Sequence, residues 1–118
     1  EVSVTPEFRD AESSDSESRY VFSYTVTVHN QSPHSVQLMA RYWKITQGSG
    51  KVQEVRGKGV VGKQPLIGPG QTFRYTSGAI LETEVGSMRG SYQMIAEDGT
   101  HFDAQVPMFT LAVPHALH

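Results

Sequence analysis

The chain has 118 residues, a formal net charge of −2 and no cysteine. Its length fits one domain able to bury roughly two thirds of its unfolded surface, so neither a disulfide nor a metal is required for folding. The missing cysteine excludes a disulfide framework, thiolate metal sites and thiol nucleophiles.

No apolar run approaches the roughly 20 residues of a membrane span. The residues from Glu1 onward lack the basic-then-apolar order of a secretory leader, so a cytoplasmic protein without a membrane partner is expected. The charge is unevenly spread. Glu1, Glu7, Asp10, Glu12, Asp15 and Glu17 stand against Arg9 alone over residues 1–17. Over residues 41–74 the bases Arg41, Lys44, Lys51, Arg56, Lys58, Lys63 and Arg74 stand against Glu54 alone. Such asymmetry can build a positive face, although solvated outer faces of strands give the same pattern.

In chain order, Val2–Phe8 alternates weakly, as an edge strand would. Residues 10–18 (DAESSDSES) carry almost no apolar surface to offset their ordering entropy, and a mobile acidic loop is expected there. From Arg19 to Asn30 the alternation is strict. Tyr20, Phe22, Tyr24, Val26 and Val28 share one face of a half-buried strand, because side chains on a strand have period two. Val36–Thr46 is a further strand containing Trp43, the only tryptophan, which is expected in the core beside Tyr42 and Ile45. Gln47-Gly48-Ser49-Gly50 is a turn, Val52–Arg56 a short strand, and 57–70 a long irregular stretch ending in Gly68-Pro69-Gly70.

Alternation returns at Phe73, Tyr75, Ser77, Ala79 and Leu81, and again at Met88, Gly90, Tyr92, Met94 and Ala96. Asp98-Gly99 predicts a two-residue hairpin with positive φ at both positions. Pro107 is expected to divide Phe102–Val106 from Phe109–Val113, since it cannot donate to a ladder. Residues 115–118 are expected to be a frayed tail. No capped, 3.6-periodic segment of helical length is present. The sum is an all-β, single-domain, immunoglobulin-like sandwich of seven or eight strands over residues 1–118.

Several long strings resemble one family. They are RYVFSYTVTVHN from Arg19, ARYWKIT from Ala40, GKGVVGKQPLIGPG from Gly57, YTSGAI from Tyr75, MRGSYQM from Met88 and LAVP from Leu111. Together they cover nearly the whole chain and are similar to the bacterial ApaG family. The resemblance implies a fibronectin type III-like or immunoglobulin-like sandwich without an established enzymatic activity. Bacterial members are often encoded near an rRNA dimethyltransferase and a diadenosine tetraphosphatase, and have been linked to cobalt and magnesium handling. Similar domains in F-box proteins and in a polymerase δ-interacting protein imply protein interaction.

Two site readings remain open at this level. Gly57-Lys58-Gly59-Val60-Val61-Gly62 matches G-x-G-x-x-G, but Lys63-Gln64-Pro65 cannot begin the helix whose N-terminus a dinucleotide site needs. What survives is a glycine turn flanked by Arg56, Lys58 and Lys63, a candidate for weak nucleotide or pyrophosphate binding. Glycines that merely permit a bulge or tight crossing give the same pattern. His101 and Asp103, two apart on one strand face with Asp98 nearby, are the metal candidates, opposed by their equally ordinary role as exposed strand residues. The other histidines (His29, His34, His115, His118) and the acids at 10–17 form no metal-ligand spacing. No nucleophile motif appears, and four of the five tyrosines occupy inward positions, so neither catalysis nor specific nucleic-acid binding is expected. The leading expectation is a non-catalytic module, without cofactor, that binds a protein partner.

Overall fold

The computed structural model describes residues 1–116, as eight antiparallel strands and two short 3-10 turns. The strands are β1 (Val2–Phe8), β2 (Tyr20–His29), β3 (Val36–Gln47), β4 (Val52–Lys58), β5 (Leu66–Ile67), β6 (Thr72–Leu81), β7 (Val85–Ala96) and β8 (His101–Ala112). One sheet has the order β1-β2-β6; the other has the order β4-β3-β7-β8, with β5 paired to the start of β3. The sandwich is nearer on one side, where β1 packs against β8, and leaves β4 and β6 as free edges on the other.

The alternations become the two inner faces. Phe22, Tyr24, Val26 and Val28 from β2 and Tyr75, Ala79 and Leu81 from β6 meet Leu38, Trp43, Met88, Tyr92, Met94, Val106 and Leu111 from the large sheet. Trp43 sits at the centre, 3% exposed, with ring centroids of Tyr24, Phe109 and Tyr92 at 5.5, 5.9 and 6.0 Å in edge-on or T-shaped arrangements. Such arrangements suit the ring quadrupoles. Gly90 pairs directly with Trp43, and a Cβ there would lie 2.0 Å from the Tyr42 carbonyl oxygen and 3.0 Å from the indole. The glycine is therefore required by close approach, not by a turn.

Two buried amides tie the loops to this core. Asn30 donates to the carbonyls of His34 (2.7 Å) and Ile67 (3.0 Å), and its own oxygen accepts from Ser32, fixing the 30–35 connection against β5. Gln47 accepts from the Glu82 amide at 3.0 Å, which links the end of β3 to the end of β6 across the two sheets. The phenols of Tyr75 and Tyr92 share a short hydrogen bond between the sheets.

Several local expectations are corrected. Pro107 does not divide the last strand. β8 is continuous, and Pro107 with Met108 forms a bulge opposite Arg89, between the pairs Met88–Phe109 and Gly90–Val106. An edge strand tolerates the missing donor at a bulge, so the proline bends the ladder without ending it. The Asp98-Gly99 hairpin has three loop residues: Ala96 N–H donates to Thr100, Gly99 N–H returns to Ala96, and only Gly99 has positive φ. The Gln47–Lys51 turn is built the same way with Gly50. A type I turn followed by glycine in the left-handed region is the usual three-residue solution.

Residues 10–18 form a loop with bonds of its own. Asp10–Glu12 is a 3-10 turn, Ser14 and Arg19 exchange backbone hydrogen bonds, and Ser13 Oγ accepts from the Val21 amide. The short polar side chains that carry no core also supply local bonds, which hydropathy alone does not reveal. In the tail, Pro114–Ala116 is a 3-10 turn, and residues 117–118, including His118, lie outside the described residues.

Candidate functional site

The outer face of the large sheet begins with a parity change. Val36 and Leu38 point inward, but the register shifts at Met39, after which Arg41, Trp43 and Ile45 take the inner side. A bulge adds one residue and exchanges the faces beyond it. Ala40, Tyr42 and Lys44 therefore face outward, and cross-strand pairing sets them in three rows. The first reads Arg56, Tyr42, Ser91 and Gln105; the second Glu54, Lys44 and Arg89, ending at the Pro107–Met108 bulge; the third Lys58, Ala40, Gln93 and Asp103.

The small side chains of Ala40 and Ser91 leave a shallow depression on each side of Tyr42. One, of about 580 Å³, is bordered by Arg56, Lys58 and Gln93, and the other, of about 400 Å³, by Arg89, Gln105 and Met108. Tyr42 donates to Glu54 Oε2 at 2.5 Å, and the Arg56 guanidinium lies 4.7 Å from its ring centroid. The Glu54 bond raises the Tyr42 phenol above its ordinary pKa, and the same bond lowers the Glu54 carboxyl. Glu54 thus stays ionised and engaged, with Arg56 also 3.8 Å away. Lys44 and Arg89 stand directly opposite each other, an arrangement that like charges oppose. Met108 is 67% exposed at the end of that row.

The glycine segment sits at one edge of this face. Arg56 and Lys58 point outward, as the strand period requires, and Gly57 turns inward, where a Cβ would lie 2.7 Å from the Arg41 guanidinium. That guanidinium donates to the carbonyls of Gly59 (2.9 Å) and Lys58 (3.3 Å). Gly59 has φ +64°, and a Cβ there would meet the Lys63 carbonyl oxygen at 2.2 Å. Val60 and Lys63 exchange two backbone bonds around Val61 and Gly62, both with positive φ, as a type I′ turn requires. The amides of Gly59, Val60 and Lys63 are thereby bonded within the protein. No helix follows, and Lys63 lies in the turn beyond the strand that carries Arg56 and Lys58.

His101 and Asp103 are exposed on β8, while the Asp98 carboxylate accepts from the Thr100 amide, which lowers its pKa. Among the described residues no group of three or more His, Asp or Glu side chains is placed to hold a metal ion. No helix among them is long and apolar enough to cross a membrane. Arg89, Ser91 and Gln105 were not singled out by sequence. The one available signal was the broken alternation between Leu38 and Trp43, which implies the bulge and hence the outward Tyr42. Chemically, the face can offer cations, amide donors and a hydroxyl to a polar or anionic surface.

Two facing antiparallel sheets with this strand order define an immunoglobulin-like β-sandwich. The sequence comparisons go further. The family model of the ApaG domain matches residues 10–96. The chain is 58% identical to protein ApaG of Chromohalobacter salexigens, covering 100% of this chain and 94% of that one. It is 54% identical to protein ApaG of Dechloromonas aromatica, covering 100% and 93%. A solved Bordetella pertussis structure, described as ApaA, matches with a TM-score of 0.94 at 49% identity over 97% of this chain and 93% of that one. The chain belongs to the ApaG family.

Proposed function

We propose that the domain is a non-catalytic binding module that docks a protein partner on the outer face of its large sheet. The observation that carries this reading is the three-row lattice around Tyr42. It combines Lys44, Arg56, Lys58 and Arg89 with amide donors, two depressions and the exposed Met108. Interfaces favour aromatic, Met and Arg side chains, and Tyr42, Met108, Arg56 and Arg89 meet that preference. A photo-crosslinking residue placed at Ser91 in cells tests it, with Thr25 on the outer face of the small sheet as control. One protein captured at Ser91, absent at Thr25 and lost on Arg56→Ala/Arg89→Ala, is the expected result. Equal capture at both positions, or capture indifferent to the arginines, sinks the reading.

A second reading has one observation in its favour: Arg56 and Lys58 share a face beside the larger depression. Inorganic pyrophosphate or a nucleotide would bind there at roughly millimolar affinity, because exposed cations gain little and salt screens them. Hydrolysis is not part of this reading, since nothing nearby positions water or holds Mg²⁺. An amide titration with pyrophosphate separates the two. Saturable shifts at Gly57, Gly59 and Gly62 in the micromolar range would promote the anion reading.

A further inference from the structure

A free sheet edge is a template for another strand unless something blunts it. In this sandwich β1 carries Pro6, β8 carries the Pro107 bulge, and the two pack against each other. On the open side β6 has Gly78 in mid-strand and a single charge, Arg74. β4 has no proline and no bulge, its charges (Glu54, Arg56 and Lys58) are of both signs and so can complement a second strand, and it packs appreciably on β3 alone. Val55, which faces the small sheet, remains only partly covered.

The ladder phase says which groups of β4 are unpaired. Gln47 N–H donates to Lys51 and Gly59 N–H to Met39, so the odd-numbered residues of β4 bond to β3. The N–H and C=O groups of Val52, Glu54, Arg56 and Lys58 therefore point to the open edge.

We infer that two copies of this chain pair β4 to β4, antiparallel, on a two-fold axis through Val55. In that register every edge group finds a partner, because Val52 meets Lys58 of the other copy and Glu54 meets its Arg56. Charge selects this register over its neighbours. A dyad at residue 54 sets Glu54 against itself, and a dyad at 56 sets Arg56 against itself while placing Glu54 opposite Lys58, so each carries a like-charge pair on the axis. Only the dyad at Val55 gives two opposite-charge pairs, Glu54 with Arg56, and no like-charge pair, with the two Val55 side chains closely opposed on the inner side. The contact is isologous and closes after two copies, so it makes a dimer and not a fibre. It joins the two large sheets and brings both basic outer faces to one continuous surface. This inference stands apart from the docking reading, which concerns the face and not the edge.

Sedimentation velocity of the full chain at low salt, over a wide concentration range, tests it. A monomer–dimer equilibrium with Kd on the order of 100 µM is expected, in keeping with a small, transient interface. Glu54→Arg and Arg56→Glu should each weaken it about tenfold, and the combined Glu54→Arg/Arg56→Glu chain should recover to near the parent value. The recovery separates lost pairing from lost folding. Amide shifts that depend on concentration should map to Val52, Glu54, Arg56 and Lys58. A monomer up to about 1 mM, association indifferent to either single change, no recovery in the double variant, or shifts centred on Arg74 and Thr76 of β6 would each overturn the inference.

Discussion

The two faces of the large sheet are made by the same strands and obey opposite rules. On the inner face Trp43, Tyr92, Met88 and Leu38 are nearly or wholly buried, and even Gly90 is dictated by the close approach of the Tyr42 carbonyl and the Trp43 indole. On the outer face Lys44 opposes Arg89, Met108 stands largely in water, and Ala40 and Ser91 leave depressions. Packing explains these inner choices and almost none of the outer ones. A residue that stability does not select, or that stability opposes, is where a binding function has room to reside. An outer face that also carried the fold, or an inner face that did not, would erase this division.

The largest expected effect is therefore on the inner face. Trp43→Ala should cost about 3–5 kcal/mol, because the surrounding rings cannot close over the space left behind. Chemical denaturation of both chains checks it. Trp43→Phe should cost less, since the indole nitrogen has no hydrogen-bond partner and its removal leaves nothing further unbonded. A smaller loss is expected from Asn30→Ala. It strips the His34 and Ile67 carbonyls and the Ser32 amide of their shared partner, at a cost of about 2 kcal/mol. Hydrogen exchange should then quicken first in β5 and the 30–35 loop, leaving β2 and β7 protected.

Next comes the alkaline limb. Burial lifts the Tyr75 phenol to about 12 from its ordinary 10.0, and burial beside Tyr75 drives Tyr92 up as well. A folded-state pKa above the unfolded one gives stability that is complete below pH 10. It is lost as pH climbs toward the folded value, because the unfolded chain releases its protons first. Stability should thus be flat with respect to these groups through neutrality and fall by on the order of 1 kcal/mol by pH 11. Tyr75→Phe should flatten that fall. An equally steep alkaline decline in Tyr75→Phe and the parent would remove the pair from the account.

What the sequence shows and hides follows the same division of faces. The alternations of β2, β6 and β7 could be read directly, because a half-buried strand writes its core face into every second residue, and eight strands fall within the seven or eight expected. The bulge at Met39 leaves only one trace, the broken alternation between Leu38 and Trp43, yet it sends Tyr42 outward and Arg41 inward. The hairpin at Glu97–Gly99 has three loop residues where Asp-Gly suggests two, since that dipeptide suits both and the flanking register decides. For the glycine segment, the strand period placed Arg56 and Lys58 on one face. It did not show that Gly57 makes room for the Arg41 guanidinium or that Val61 adopts positive φ. Arg89 went unnoticed because rows across a sheet join residues that are far apart in the chain.

Lys44 and Arg89 face each other across β3 and β7, with Glu54 next to Lys44 in the same row and already bonded to Tyr42. Removing one cation relieves repulsion and leaves no buried group without a partner. Arg89→Ala should therefore change stability by no more than about 0.5 kcal/mol, and in the stabilising direction at low salt. Salt should reproduce part of that gain in the parent chain and none of it in the variant, because screening acts on a repulsion that the variant lacks. Denaturation of both chains at low and high salt gives all four values. A loss above about 1 kcal/mol, independent of salt, would mean that Arg89 packs as part of the fold. The outer face would then no longer contrast with the inner one. A near-zero change accompanied by loss of crosslinking at Ser91 would assign the arginine to binding alone.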